Sequence, residues 1–223
     1  YLINTVGEYR GVIEDHVSAL NSQKGYGGDV ISRIEYSMQS RDNLSELQNR
    51  ITGQISEMVN ELATANNVDK NNIYLITIAG NTTMTHLFSG LDPAGIAAAP
   101  FIPVDIDIIK AKTSDFGLEV SRTCRTLVLP GIASYVGSDI TAGVVATGMY
   151  KSDELCLLID IGTNGEIVLG NRHNLTACST AAGPALEGAN ISCGMAGVPG
   201  AINSIKVQDS SEGAVFDFKV IGD

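Results

Sequence analysis

The chain has 223 residues, of which 44% are hydrophobic, 17% charged and 5% aromatic, and it contains 24 glycines. This composition excludes a disordered or coiled-coil protein and favours a glycine-rich α/β protein of one large domain or two lobes. The formal net charge of −11 argues against nucleic acid and anionic membranes as partners, because an acidic surface repels both. An anionic ligand such as a polyphosphate must therefore be held by local backbone donors and a divalent cation.

The cysteines lie far apart in the sequence and lack the close pairs that zinc and iron–sulfur sites use, so no metal cluster is expected in this chain: Cys124, Cys156, Cys178 and Cys193. No signal peptide and no run of about 20 apolar residues is apparent, and reduced thiols in a large acidic domain favour a cytoplasmic location. The chain begins at Tyr1 within a strand-like run and without an initiating Met, so we expect a fragment of a longer protein.

The N-terminal part is expected to hold a pair of strands. The β-like runs Tyr1–Ile3 and His16–Leu20 flank a polar, glycine-containing segment and predict an antiparallel pair. Asp29 and Arg33 follow at the start of a helix-like stretch, four positions apart. They can pair across one helical turn, although a solvated face is the favoured interpretation of these charges.

Apolar residues recur at steps of three and four between residues 44 and 62 and predict a long amphipathic helix. Asp42 or Asn43 is expected to cap this helix, and residues 66–67, both Asn, are expected to end it. Met58 lies in the apolar stripe and is therefore predicted to be a core residue.

A strand followed by a polar turn comes next. Residues Ile73–Ala79 predict a buried strand that runs into the N-terminus of a helix, where backbone donors form a natural anion site. The turn begins at Gly80, and simple helix capping explains Asn81, Thr82 and Thr83 equally well. His86 lies farther along the helix and is interpreted as a hydrogen-bonded helix residue, not as a base or metal ligand.

The middle of the chain gives fewer signals. Residues 104–121 are polar and hard to assign, and Thr126–Leu129 predicts a further short strand. The stretch Val136–Met149 predicts a helix rich in small residues. Small faces permit close packing and sliding, so this helix is a candidate hinge.

The segment Leu157–Gly170 describes two strands joined by a tight polar loop, with Asp160 near the end of the first strand. The loop supplies glycines that admit a ligand to the backbone, and hydroxyl, amide and N–H groups that suit phosphate oxygens: Gly162, Thr163, Asn164 and Gly165. An acid beside such a loop suggests a hydrated cation held by phosphates. An ordinary hairpin with an Asn-Gly turn explains the same residues.

The C-terminal part repeats the pattern of the first half. His173–Thr180 predicts a third strand, Ser179–Gly188 leads into a Gly-Pro helix start, and Ile205–Gln208 and Val215–Ile221 predict paired strands. The order of strands, a polar turn and then a helix thus occurs once in each half of the chain. The repeat predicts two similar lobes with a cleft between them and a boundary near Tyr150.

This order of elements resembles the acetate and sugar kinase, Hsp70 and actin superfamily, whose lobes are ribonuclease-H-like. The resemblance implies an α/β fold of two lobes, each with a mixed β-sheet flanked by helices. Four motifs resemble the ATP-dependent reductive activators of corrinoid proteins, in a match that runs from about residue 25 to 207: Gly27–Ile34, Gly80–Met84, Asp160–Glu166 and Ala181–Gly188. By the resemblance, residues 1–150 form the first lobe without its first strand and first phosphate motif, and residues 151–223 begin the second lobe.

The resemblance also assigns site residues. The hairpin corresponds to the superfamily's second phosphate motif, with Asp160 as the Mg²⁺ ligand and with Asp160 and Glu166 in the catalytic role. The residues expected to bind the nucleotide are Gly80, Asn81, Thr82, Thr83, Gly162, Thr163, Asn164, Gly165, Gly183 and Glu187. The first phosphate motif is expected upstream of this chain and the adenosine motif downstream of Asp223, so the nucleotide site within the chain is incomplete.

The function implied by the resemblance is the ATP-dependent return of a Co(II) corrinoid protein to Co(I). It implies ATP and Mg²⁺ as cofactors, a [2Fe–2S] cluster upstream of this chain, a corrinoid protein as partner and a homodimeric state. Two alternatives remain: a small-molecule kinase of the same superfamily, or a non-catalytic partner-binding module. The kinase needs a base, and the only glutamates in the phosphate-like motifs, Glu166 and Glu187, can each simply hydrogen-bond the loop.

Overall fold

The fold is described by a computed structural model that covers residues 2–6, 13–162, 164–180, 195, 198–210 and 213–222. Its strands are β1 (Leu2–Val6), β2 (Ile13–Ser18), β3 (Leu75–Ile78), β4 (Ile109–Lys112), β5 (Arg125–Val128), β6 (Cys156–Ile161), β7 (Gly165–Asn171), β8 (Asn174–Thr180), β9 (Ile202–Ser210) and β10 (Gly213–Val220). Its α-helices are α1 (Val30–Met38), α2 (Arg41–Ala65), α3 (Thr82–Ser89), α4 (Ala94–Ala97) and α5 (Ser138–Thr147). Short 3₁₀ turns lie at Ser22–Tyr26, Lys70–Asn72, Thr113–Phe116 and Met149–Lys151.

The chain divides into two compact units. The first comprises Tyr1–Leu158 with Val168–Thr176, and the second comprises Ile159–Ile167 with Ala177–Asp223. No helix among the described residues is both long enough and apolar enough to cross a bilayer. The division into residues 1–150 and 151–223 stays a prediction.

Helix α1 begins at a capping box. The Asp29 carboxylate accepts a hydrogen bond from the Ser32 amide at 2.8 Å, and this bond is the main reason that the pKa of Asp29 is lowered. Arg33 is buried, with 7% of its surface exposed, and its Nε donates to the Gly27 carbonyl at 3.0 Å. The expected solvated face is therefore wrong for Arg33, because the chain entering the helix folds back over its side chain.

The cap of helix α2 lies two or three residues before the expected caps. Ser40 precedes it and accepts a hydrogen bond from the Asn43 amide at 3.1 Å, so Ser40 is the cap and neither Asp42 nor Asn43 is. The predicted end is confirmed, since Asn66 closes the helix and the following residue has a left-handed φ of 55°. The predicted apolar stripe, with Met58 in the core, is confirmed by the buried face Leu47, Ile51, Thr52, Ile55, Met58, Val59, Leu62 and Ala63.

Replacement of Ser40 tests directly whether this residue caps helix α2. Ser40→Ala should lower the free energy of unfolding by about 1 kcal/mol, because the Asn43 amide loses its acceptor. Thermal or chemical unfolding measures the change. Ser45→Ala, at an exposed position inside the same helix, is the control and should leave stability unchanged or slightly raised. A loss for Asp42→Ala with none for Ser40→Ala would contradict the assignment.

The main sheet of the first unit has the order β3-β5-β4, with β3 parallel and β4 antiparallel to β5. Strand β5 matches the predicted strand at 126–129. Strand β3 was expected to be buried, but Leu75 is 57% exposed and its neighbours Ile76 and Ile78 are only half-buried. The expectation is wrong because β3 forms an edge of this sheet, whereas parallel strands are usually covered on both faces.

The core of the first unit lies between α2, α3 and this sheet. Its buried members are Ile51, Ile55, Val59, Phe88, Phe116, Leu118 and Val128. The rings of Phe88 and Phe116 stack with their centroids 4.7 Å apart. Helix α2 supplies three of these seven residues, which explains why its periodicity dominates the sequence.

The remaining strands form hairpins and one small sheet. Strands β1 and β2 pair antiparallel, as predicted. The predicted hairpin at 157–170 is confirmed, since β6 and β7 are neighbours in a sheet of order β6-β7-β8. Strands β9 and β10 also form the predicted pair, and the pairing is antiparallel, with Val207 opposite Phe216 and Ile205 opposite Phe218.

Candidate functional site

The tip of the β6–β7 hairpin, in the second unit, is the first candidate site. Strand β6 ends at Ile161, and the turn is closed by a hydrogen bond of 2.9 Å from the Gly162 amide to the Asn164 carbonyl. The Asp160 side chain is exposed beside this turn, while Gly165 is buried where β7 begins. The Gly162 amide is therefore used within the turn, and the carboxylate of Asp160 is accessible to a cation. Thr163 lies outside the described residues.

Glu166 is held across two strands of the same sheet. The Ser179 hydroxyl, on β8, donates a hydrogen bond to Glu166 Oε1, on β7, at 3.3 Å. Glu166 is half-buried, so this contact orients its carboxylate. The Ser179 hydroxyl is thus one partner of Glu166, and the bond to the loop that the sequence suggested stays a prediction. Ser179 was predicted only as part of the strand-to-helix motif, without a contact of its own.

The turn from β3 into α3, in the first unit, is a second and separate candidate site. Asn81 caps α3, because its side-chain oxygen accepts a hydrogen bond from the Met84 amide at 2.9 Å. Thr82 and Thr83 are buried, with 3% and 4% of their surface exposed. The Thr82 hydroxyl donates to the Ala133 carbonyl at 2.7 Å. The capping interpretation is confirmed for Asn81.

The N-terminus of α5 packs directly onto this turn. The Gly80 carbonyl accepts hydrogen bonds from the Ser138 amide at 2.9 Å, the Asp139 amide at 3.2 Å and the Ser138 hydroxyl at 3.1 Å. Gly137 fits so closely that a Cβ there would lie 2.5 Å from the Asn81 Cα and 2.7 Å from the Thr82 amide nitrogen. These backbone contacts give the turn a packing role, and its contact with a nucleotide stays a prediction.

The sequence does not indicate this packing. Gly137 and Ser138 read as the start of a helix rich in small residues, and the glycine looks like one of several that permit close packing. Gly80, which packs against both residues, precedes Ser138 by 58 positions. A glycine directly before a Ser-Asp helix start was the one available signal of a close backbone approach.

His86 lies on α3 one turn after the cap, with 1% of its surface exposed. Its Nδ1 lies 2.8 Å from the Thr82 carbonyl, and the Asp105 amide donates to its Nε2 at 3.5 Å. The interpretation as a hydrogen-bonded helix residue is confirmed. Burial lowers the pKa of His86 and outweighs the opposing effects of the Thr82 carbonyl and of nearby Asp105 and Asp92.

This burial predicts a pH dependence of stability. The unfolded chain binds a proton at His86 as the pH falls through about 6.5, whereas the folded chain does so only at a lower pH. The stability contributed by neutral His86 is therefore complete above pH of about 6.5 and is lost as the pH falls toward the folded pKa. The free energy of unfolding, measured between about pH 7.5 and about pH 5, should depend less steeply on pH in His86→Asn than in the parent protein.

The control for this experiment is His173→Asn, because His173 is exposed. The free energy of unfolding of that variant should depend on pH as steeply as that of the parent protein. The carboxyl groups with lowered pKa values, including Asp29 and Glu46, lose their contribution only at more acidic pH. An equal pH dependence of the free energy of unfolding in the parent protein and in His86→Asn would contradict the prediction.

The donor groups fit a cation that is bound together with phosphates. Among the described residues, no three His, Cys, Asp or Glu side chains lie close enough to form a metal site by themselves. Mg²⁺ usually takes one or two carboxylates from the protein and completes its shell with phosphate oxygens and water. The exposed carboxylate of Asp160 suits that arrangement. Gly183 and Glu187 lie outside the described residues, so their predicted contacts are not located.

The chain is similar to proteins that activate corrinoid proteins. It is 36% identical over 212 residues to the corrinoid activation enzyme RamQ of Eubacterium limosum, which covers 95% of this chain and 35% of that protein. It is 26% identical over 190 residues to a [Co(II) methylated amine-specific corrinoid protein] reductase of Methanosarcina barkeri, which covers 81% of this chain and 34% of that protein. The chain thus spans about a third of the length of these relatives.

A solved structure and two family models agree with these relatives. The structure of a reductive activator for a corrinoid, iron-sulfur protein superposes with a TM-score of 0.77 at 38% identity, and the match covers 95% of this chain and 33% of that one. The RACo middle region matches residues 6–152, and the C-terminal domain of RACo, the ASKHA domain, matches residues 154–223. The actin-like α/β fold expected from the resemblance is confirmed. The chain belongs to the RACo family, of which it contains the middle region and residues of the C-terminal ASKHA domain.

Proposed function

We propose that this chain is part of an ATP-dependent reductive activator, which returns a corrinoid protein from Co(II) to Co(I). The observation that carries the proposal is the hairpin tip, where the exposed Asp160 carboxylate stands beside the closed turn at residues 162–164. Membership of the RACo family supports it, since two relatives are named for corrinoid activation or for reduction of a Co(II) corrinoid protein. The chain is expected to act within a longer protein that supplies the remaining nucleotide contacts.

Asp160 is the proposed protein ligand of Mg²⁺, and the loop residues Gly162, Thr163 and Asn164 are the proposed neighbours of the phosphates. Glu166 is a proposed catalytic group, held in place by the Ser179 hydroxyl. Bound Mg-ATP would supply the free energy of hydrolysis, and a [2Fe–2S] cluster outside this chain would supply the electron. Gly80, Asn81, Thr82, Thr83, Gly165, Gly183 and Glu187 are retained as proposed nucleotide contacts.

The energetic logic of the proposal is a population shift. An electron transfer that is uphill by several kcal/mol proceeds when nucleotide binding favours the conformation in which the transfer, or a ligand change at cobalt, is accessible. A ligand can shift such an equilibrium only by its difference in affinity for the two conformations. The residues of this chain contribute by holding the phosphates in one of these conformations. A cytoplasmic homodimer is the proposed state of the whole protein.

The test uses the full-length protein, a Co(II) corrinoid protein and a low-potential electron donor. The rate at which Co(I) appears is followed by absorbance, with and without Mg-ATP. We expect nucleotide to accelerate reduction, and equal rates without it would overturn the proposal. Phosphate transfer to acetate or a sugar would favour the kinase alternative. Failure of the full-length protein to bind ATP in calorimetry would favour the partner-binding module.

A further inference from the structure

The carboxylate of Glu166 lies on the face of its strand where apolar side chains are expected. Side chains alternate along β7, so Glu166 shares a face with Val168, which is 2% exposed, while Leu169 on the opposite face is 46% exposed. A charged group on the more buried face and an apolar group on the open face invert the pattern that burial favours. Natural sequences break such local rules mainly at functional or strained sites.

Ser179 occupies the more buried face of the neighbouring strand β8. Leu175, Ala177 and Ser179 are half-buried along this strand, whereas Thr176 on the other face is exposed. The Ser179 hydroxyl donates to Glu166 Oε1 at 3.3 Å. Two polar side chains on the more buried faces of adjacent strands thus meet each other.

We propose that Ser179 is a positioning residue, which fixes the orientation of the Glu166 carboxylate for the hydrolysis of Mg-ATP. This role rests on the proposed function, because that function makes Glu166 a catalytic group. Ser179 lies outside the set of proposed nucleotide contacts and acts through Glu166.

The hydroxyl contributes in two ways. Glutamate loses much rotamer freedom when its carboxylate is held in one orientation, and a donor fixed on a strand offsets this cost. A donated hydrogen bond also favours the ionised form of a carboxylate, which is the form that can accept a proton from water. The distance of 3.3 Å is longer than the usual O–H···O distance of about 2.7 Å. We expect it to shorten when the phosphates bind, as catalytic hydrogen bonds commonly do.

The first test measures steady-state hydrolysis of Mg-ATP by the full-length protein. Ser179→Ala should lower kcat about tenfold and change the KM for Mg-ATP by less than about twofold, because the lost contact orients a catalytic group and does not bind substrate. Ser179→Thr keeps the hydroxyl and suits a strand, so it should retain most of the parent kcat. Thr176→Ala, on the exposed face of the same strand, is the matched control and should behave as the parent protein.

Two results of this test would overturn the proposal. An unchanged kcat for Ser179→Ala would show that the hydroxyl has no role in the reaction. Equal losses for Ser179→Ala and Ser179→Thr would assign the effect to packing and not to the hydroxyl. Rates are measured well below the unfolding midpoint of each variant, so that loss of folded protein does not lower kcat.

The second test asks whether Ser179 acts through Glu166. Glu166→Gln should lower kcat, and Ser179→Ala added to it should change kcat by less than about twofold, because residues that act as a unit are not additive. A further loss as large as that of Ser179→Ala alone would show that Ser179 acts independently, and would overturn the positioning role.

The same variants separate this role from the proposed function. If corrinoid reduction is independent of Mg-ATP while hydrolysis still depends on Ser179, the proposed function fails and the positioning role stands. If reduction requires Mg-ATP while Ser179→Ala hydrolyses it as fast as the parent protein, the positioning role fails and the proposed function stands. Absence of ATP hydrolysis by the parent protein would overturn the positioning role.

Discussion

Asp160→Ala should lower the nucleotide-dependent rate of corrinoid reduction by the full-length protein about 100-fold, a loss typical of removing a group that stabilises transition-state charge. The reason is the position of Asp160 as an exposed carboxylate at the end of β6, where it is the proposed ligand of Mg²⁺. Stability should change by less than about 0.5 kcal/mol, because substitutions at exposed positions away from packed features are nearly neutral. Rate measurements with and without Mg-ATP, together with thermal unfolding, separate the two effects.

Glu154→Ala is the control for this prediction. Glu154 is also an exposed acid and lies just before β6, so its removal changes the net charge equally without touching the hairpin tip. That variant should keep the full nucleotide-dependent rate. Unchanged activation by Asp160→Ala would count against the chosen site. A large fall in thermal stability for the same variant would show that its role is structural.

Gly137→Ala should destabilise the protein by about 3 kcal/mol, at the upper end of the usual cost of overpacking. The added Cβ would meet three backbone atoms at 2.5–2.7 Å, namely the Asn81 Cα, the Gly80 carbonyl oxygen and the Thr82 amide nitrogen. Backbone atoms cannot rotate away as the end of a side chain can, so the α5 start or the α3 turn must move. Thermal unfolding should show a midpoint lower by about 2–4 °C per kcal/mol.

The matched control is Gly53→Ala. Gly53 lies within α2, where a Cβ would meet no atom within 4 Å. Because alanine is a much better helix former than glycine, this variant should be more stable by about 0.5–1 kcal/mol. Equal effects for the two glycines would contradict the close approach of α5 to the α3 turn.

Local patterns made much of the fold predictable from the sequence. The α2 stripe follows from a repeat that only a helix brings to one face, and the hairpin at 157–170 follows from two apolar runs around a glycine-bounded loop. The pairing of β9 with β10 is equally local. The family resemblance rested on four short motifs in order, and the matches to the RACo middle region and C-terminal domain confirm it.

Contacts between distant parts of the chain were not predictable. The hydrogen bond from Ser179 to Glu166 joins two strands, and no spacing rule connects their side chains. The bonds of Gly80 with Ser138 join residues 58 positions apart. The start of α2 was misplaced for another reason: Ser40, Asp42 and Asn43 are all good caps, and only the path of the chain selects one.

The hydrogen bonds of Gly80 connect the local unfolding of the α3 turn with that of the α5 start. One oxygen accepts from two amides and one hydroxyl of the α5 start, while the Gly80 amide donates to the same Ser138 hydroxyl. Opening of either the α3 turn or the first turn of α5 therefore breaks hydrogen bonds of the other, since each supplies the other's partners. These two segments, more than 50 positions apart in the sequence, form a single cooperative unit in which a fluctuation at one helix start is a fluctuation at both.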